Sequence, residues 1–131
     1  SFNVSSAEGQ AAVRIYARSL AARYKNSVSN WVIGNEVNDA IHWDYNGEMD
    51  MQVHAESYAK AFRIFYEEIK AANPEAKVLI PFDMRWKATT GEPGCYSTAE
   101  YLPLLNSKLR DTDYGIAVSG ALLHEARVSG R

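Results

Sequence analysis

The sequence predicts an α/β fold in which parallel strands alternate with helices, and three observations predict it. Stretches with apolar residues at helical spacing alternate with short apolar runs, in the order helix, strand, helix, strand, helix, strand. The runs WVI, VLI and IAV are continuous rather than alternating, as expected of strands covered on both faces. Each helix is long enough to cross back over a parallel sheet, and such crossovers are right-handed almost without exception.

The first helix is predicted over Ser5–Tyr24, with Val13, Tyr16, Leu20 and Tyr24 as its apolar stripe. Ser5 and Glu8 have the S-x-x-E spacing of a capping box, in which each side chain satisfies a backbone donor of the first turn. After a polar connector, Asn30–Asn35 reads as a strand, rich in aromatic and β-branched residues around Trp31, Val32 and Ile33. Asp39–Asp50 has turn formers and no sustained period, which predicts a long loop with room for a short turn.

The second helix spans about Asp50–Ala72 on the stripe Met51, Ala55, Tyr58, Phe62, Phe65 and Ile69, and Asn73-Pro74 stops it. Lys77–Phe82 follows as a buried strand delivering Asp83, and Met84–Tyr96 is irregular. A third helix is expected between Ser97 and Arg110, with Leu102, Leu105 and Leu109 inward. Ser97 and Glu100 fit another capping box, although a start nearer Glu100 would be easier on Pro103. Tyr114–Val118 reads as the last strand, and the tail from Ser119 has no clear period.

With 131 residues, the chain suits one domain spanning 1–131. The 14 Lys and Arg against 16 Asp and Glu give a net charge of -2, which offers no electrostatic case for nucleic acid or an anionic membrane. Neither a membrane-spanning apolar run nor a basic-then-apolar leader is expected. The lone Cys95 excludes an internal disulfide and reads as a loop thiol. His42, His54 and His124 are widely separated, so no metal or other cofactor is expected. Glycine-rich phosphate loops and a GxSxG elbow are absent.

In parallel α/β structures, chemistry clusters where strands end and the following loops begin. Asn35 and Glu36 fall at one such place and Asp83 at another, each followed by a long loop. Trp43, Tyr45 and Trp86 in those loops either offer flat faces to a ligand ring or pack over the rim.

The stretch WVIGNE resembles the strand-end signature of retaining glycoside hydrolases with a (β/α)8 barrel, the clan whose fourth barrel strand ends in Asn-Glu. GNEVND, followed by HWDYNG and a strand ending PFD, is also similar to an uncharacterised bacterial glycosidase-like domain family. The resemblance implies that Glu36 is the general acid/base, protonating a leaving oxygen and later taking a proton from water. It implies that Asn35 contacts a sugar 2-hydroxyl and that Trp43, Tyr45, Asp83 and Trp86 help bind substrate.

It also implies a shortage. A complete barrel takes about 250 residues, so this chain corresponds to about half of one, from the third helix to the sixth strand. In the family the nucleophilic Glu ends the seventh strand, which has no counterpart here. Retaining chemistry needs two carboxyl groups about 5–5.5 Å apart, so the isolated chain is expected to be inactive. Asp83 is the best-placed second carboxylate but reads as a substrate contact, and His124 and Glu125 read as surface residues.

The expectation is a piece of a secreted or periplasmic carbohydrate-active hydrolase that self-associates through exposed barrel edges. The alternative is a non-catalytic α/β domain that binds carbohydrate or a protein partner.

Overall fold

A computed structural model describes residues 2–44 and 50–118. The elements are α1 (Ala7–Tyr24), β1 (Asn30–Val32), α2 (Ala40–Trp43), α3 (Met51–Ala72), β2 (Lys77–Phe82), α4 (Thr98–Lys108) and β3 (Gly115–Val118). The strands form one parallel sheet in the order β1-β2-β3, with Val32 opposite Leu79 and Ile80 opposite Ile116. The expected α/β class is therefore present.

Strand order that follows chain order, joined by right-handed crossovers, puts α3 and α4 on the same face of the sheet. In keeping with this, α3 packs against both α1 and α4. Phe62, Phe65 and Ile69 of α3 meet Val78, Ile80 and Phe82 of β2 and Tyr101, Leu105 and Leu109 in and just after α4, all buried in one core. Among the described residues, no second helical layer covers the opposite face. Val32 is 51% exposed there, which corrects the expectation that every strand is covered on both sides.

Several local readings also change. The N-cap of α1 is Ser6, which accepts Gly9 N–H at 3.0 Å, while the Ser5 hydroxyl turns back to Asn3. The buried stripe of α1 is Val13, Ala17 and Ala21; Tyr16 and Tyr24 are 52% and 39% exposed. Small alanines let α1 approach α3 closely, and the two are clamped by Glu68, which accepts from Arg14 at 3.0 Å and from Arg18 at 2.9 and 3.0 Å. At α4 the Ser97 hydroxyl bonds the Glu100 carboxylate, and the helix starts at Thr98 despite Pro103 within it.

The first strand is shorter than expected. Ile33 N–H donates to Leu79 C=O at 3.0 Å, but the next bond of that ladder, from Val37 N–H to Pro81 C=O at 2.9 Å, comes four residues later on one side and two on the other. Gly34, Asn35 and Glu36 are thus looped out as a bulge. Two left-handed residues make the loop, Gly34 at φ 96° and Glu36 at φ 39°.

Proline supplies the reason on the facing strand. A regular parallel ladder would have Ile33 C=O accept the N–H of residue 81, and Pro81 has none. Tyr58 of α3 donates its hydroxyl to that carbonyl instead, at 2.7 Å.

Candidate functional site

The bulge lifts Asn35 and Glu36 off the sheet at the end where the parallel strands terminate. Asn35 is exposed and Glu36 partly buried. The left-handed backbone at Glu36 is uncommon for a residue with a side chain, and such conformations persist where surrounding structure enforces them. Here the enforcing contacts are Val37 N–H on Pro81 and Asp39 N–H on Glu36 C=O at 2.7 Å.

Trp43, at the end of α2, donates its indole N–H to Glu36 Oε2 at 2.9 Å. Both line a cavity of about 240 Å³ that also touches Phe2, Asn35, His54 and Tyr58. The indole is 50% exposed, so its remaining face is open to a ligand.

Behind Glu36 lies an ionic layer. One carboxylate oxygen each from Glu36, Asp39 and Asp83 lie within 4.8 Å of one another. Asp39 and Asp83 are only 5% and 4% exposed, and Arg85 bridges them. Its guanidinium bonds Asp83 and donates to Asp39 Oδ2 at 2.9 Å, while its backbone N–H also bonds Asp83. Hydrogen bonding to Asp83 holds the Arg85 guanidinium well above its ordinary pKa, against the effect of desolvation. Both oxygens of Asp83 are therefore engaged by Arg85; of the three, Glu36 and Asp39 line the cavity, and Glu36 is the less buried of those two.

Asp39 Oδ1 receives two further bonds, from His42 Nδ1 at 2.7 Å and from the Cys95 thiol at 3.0 Å. Burial pushes the Asp39 carboxyl up, but the bonds from Cys95, His42 and Arg85 outweigh it and leave it below its ordinary value. The same contact with Asp39 raises His42, and burial raises the Cys95 thiol.

Asn38, 1% exposed, fixes this layer to the sheet. Its side-chain oxygen accepts Asp83 N–H at 2.9 Å, its amide donates to Tyr96 C=O at 3.0 Å, and its backbone carbonyl accepts Tyr96 N–H at 2.8 Å. On the other flank of the cavity, buried His54 pairs with Asp44 at 3.1 Å and with the Tyr101 hydroxyl at 2.5 Å. Asp44 as a carboxylate can only accept, which puts a proton on His54 Nε2 and makes Tyr101 the donor to Nδ1.

Of the residues singled out in the sequence, the fold brings Asn35, Glu36 and Trp43 into one cavity, with Asp83 directly behind. Trp86 is 45% exposed in the loop after β2, where its carbonyl accepts Ala99 N–H at the start of α4. Tyr45, His124 and Glu125 lie outside the described residues. Asn38, Asp39, His42, Arg85 and Cys95 were not singled out as site residues: His42 and Arg85 each have a near partner, in Asp39 and Asp83, but the contacts that gather the five into one layer join residues 45 to 58 positions apart.

The fold and site define an α/β chain that presents a partly exposed carboxylate, braced by an indole, beyond the ends of parallel strands. The chain belongs to the family of unknown function DUF5722, whose model matches residues 1–119. Comparison with curated proteins gives no match.

Proposed function

We propose that the chain contributes part of a (β/α)8 barrel to a retaining glycoside hydrolase, with Glu36 as the general acid/base. Support for the barrel comes from the sheet. Strands in chain order, helices on one face and apolar Val32 and Leu79 on the other match the inside-outside division of a barrel wall. About half of such a barrel is present on this reading, and a further set of strands would cover the bare face.

One observation carries the assignment of the acid. The Glu36 carboxylate stands at the strand ends, held by the Trp43 indole over a cavity, while Asp39 and Asp83 are engaged by Arg85. A group that protonates a leaving oxygen must be oriented and reachable, and Glu36 meets both conditions. Asn35 beside it supplies neutral donors and an acceptor suited to a sugar hydroxyl, and Trp43 a face for ring stacking.

The nucleophile on this reading comes from another part of the barrel. Asp83 lies near enough to Glu36, but a carboxylate with both oxygens on a guanidinium and a backbone N–H is a poor nucleophile. The same observation favours a second reading, a carbohydrate-binding α/β domain in which Glu36 only accepts hydrogen bonds.

The test is Glu36→Gln in a polypeptide that contains this chain within a complete barrel. Turnover of an aryl glycoside should fall about 10²- to 10⁴-fold with sugar binding retained. Near-normal turnover would remove Glu36 from the role of acid. The 131-residue chain alone should be inactive, and hydrolysis by it would overturn the external nucleophile.

A further inference from the structure

Asp39, His42 and Cys95 come from two segments that the sheet does not contain, yet one donor atom of each lies within 4.8 Å of the others. Asp39 Oδ1 is the shared point, 2.7 Å from His42 Nδ1 and 3.0 Å from Cys95 Sγ. We propose that these three side chains form a binding site for a zinc-type divalent cation, with a fourth coordination position open to solvent. The site does not depend on the glycosidase reading.

The donor set is the first argument. A thiolate, an imidazole and a carboxylate oxygen together suit a borderline-soft ion such as Zn²⁺ or Co²⁺, and do not suit Mg²⁺ or Ca²⁺, which take oxygen ligands. Zinc bonds of about 2.0–2.3 Å place neighbouring donors about 3.3–3.8 Å apart in a tetrahedron. The two bonds to Asp39 are shorter than that, so an ion would enter by an outward shift of His42, whose side chain is 53% exposed, together with a small separation of Asp39 Oδ1 from Cys95 Sγ.

The second argument is the outer support. Metal-bound carboxylates are typically held through hydrogen bonds that fix the ligand. Asp39 divides its oxygens in that way, Oδ1 toward His42 and Cys95 and Oδ2 toward Arg85 at 2.9 Å. Glu92 Oε2 lies 3.9 Å from His42 Nε2, on the side of the ring away from Asp39.

The backbone supplies the third. Asp39 and Cys95 form an isolated antiparallel bridge, flanked by Ala40 N–H on Gly94 C=O and Tyr96 N–H on Asn38 C=O, both 2.8 Å. The two segments can meet because residue 94 is glycine: it sits at φ 85°, and a Cβ there would stand 3.3 Å from Ile41. Asp39 and Cys95, 56 residues apart in the chain, are thereby set side by side by main-chain bonds rather than by the side chains themselves. Ion binding would replace the Cys95 S–H bond with a metal–thiolate bond and release that proton to solvent, and the proton that His42 Nδ1 gives to Asp39 would have to leave that nitrogen, the neutral ring then carrying its proton on Nε2.

The test uses the 131-residue chain, stripped with a chelator and titrated with Co²⁺ under reducing conditions free of competing thiols. One ion per chain should bind with a thiolate-to-cobalt charge-transfer band, and Zn²⁺ should displace it. Cys95→Ser should lose that band, and His42→Ala should lose affinity. Arg85→Met, which touches no metal, should weaken binding about 10- to 100-fold. Should Cys95→Ser fail to fold, His42→Ala decides the matter, because that side chain is largely in solvent. Failure of the wild type to take up Co²⁺, a charge-transfer band that survives in Cys95→Ser, or unchanged affinity in His42→Ala would each overturn the site.

Discussion

The Tyr58 hydroxyl bonds the Ile33 carbonyl at 2.7 Å, in the place that a backbone N–H would take if residue 81 were not proline. A helix side chain thus completes a sheet ladder. Burial pushes the Tyr58 phenol well above its ordinary value, so the proton stays on the oxygen and the donor is permanent at any ordinary pH.

Tyr58→Phe should therefore destabilise the chain by about 1–2 kcal/mol, the cost of leaving a buried carbonyl without its donor. Urea unfolding of the two forms measures it. Equal midpoints would mean that water takes over the bond.

Asn38→Ala should cost more, about 3 kcal/mol. It strips the donor from Tyr96 C=O and the acceptor from Asp83 N–H together, in a fully buried place. A loss below about 1 kcal/mol would show that the loop carrying Tyr96 is held by other contacts.

Glu68→Gln tests the clamp between α1 and α3. Bonds from Arg18 first, and then from Arg14, hold the Glu68 carboxyl below its ordinary value despite some desolvation. A depressed carboxyl contributes stability above its unfolded pKa and loses it as the pH falls through the folded one. The variant should be about 1 kcal/mol less stable at pH 7, a modest figure because Arg18 is 66% exposed and screened. The gap between the two proteins should narrow below about pH 4, and a gap that widens on acidification would contradict the linkage.

Thr98→Val should go the other way. The Thr98 hydroxyl is buried and has no hydrogen-bond partner among the described residues. Replacing it with a methyl of the same shape removes an unsatisfied group and should raise stability by about 1 kcal/mol. A fall in the thermal midpoint would point to a bond that the hydroxyl makes in solution.

How much of this was legible in the sequence differs from element to element. Lys77–Phe82 was readable at the same bounds, because a run of apolar residues closed by Asp has few other interpretations. The stripe of α3 was equally plain, since Phe62, Phe65 and Ile69 bury large side chains at helical spacing. In α1 the tyrosines drew the stripe to the wrong side, because alanine carries little hydrophobic signal yet permits the close packing that decides which face is buried.

The bulge was missed although two signals were present. A glycine inside one apparent strand and a proline inside its neighbour both mark interrupted ladders, and Gly34 and Pro81 are such a pair. The ionic layer offered less. Asp39 and Arg85 are 46 residues apart, and each alone looks like an ordinary loop charge. No local period links residues that meet only after the strands align.

The looped-out segment from Gly34 to Glu36 has a last consequence. Since pairing with β2 stops at Ile33 and resumes at Val37, the sheet does not register which side chains stand at 35 and 36. On the proposed function, stability and chemistry thereby fall largely on separate residues: a change of side chain at Asn35 leaves the ladder untouched, while Gly34, Tyr58 and Pro81 keep the scaffold that presents the loop.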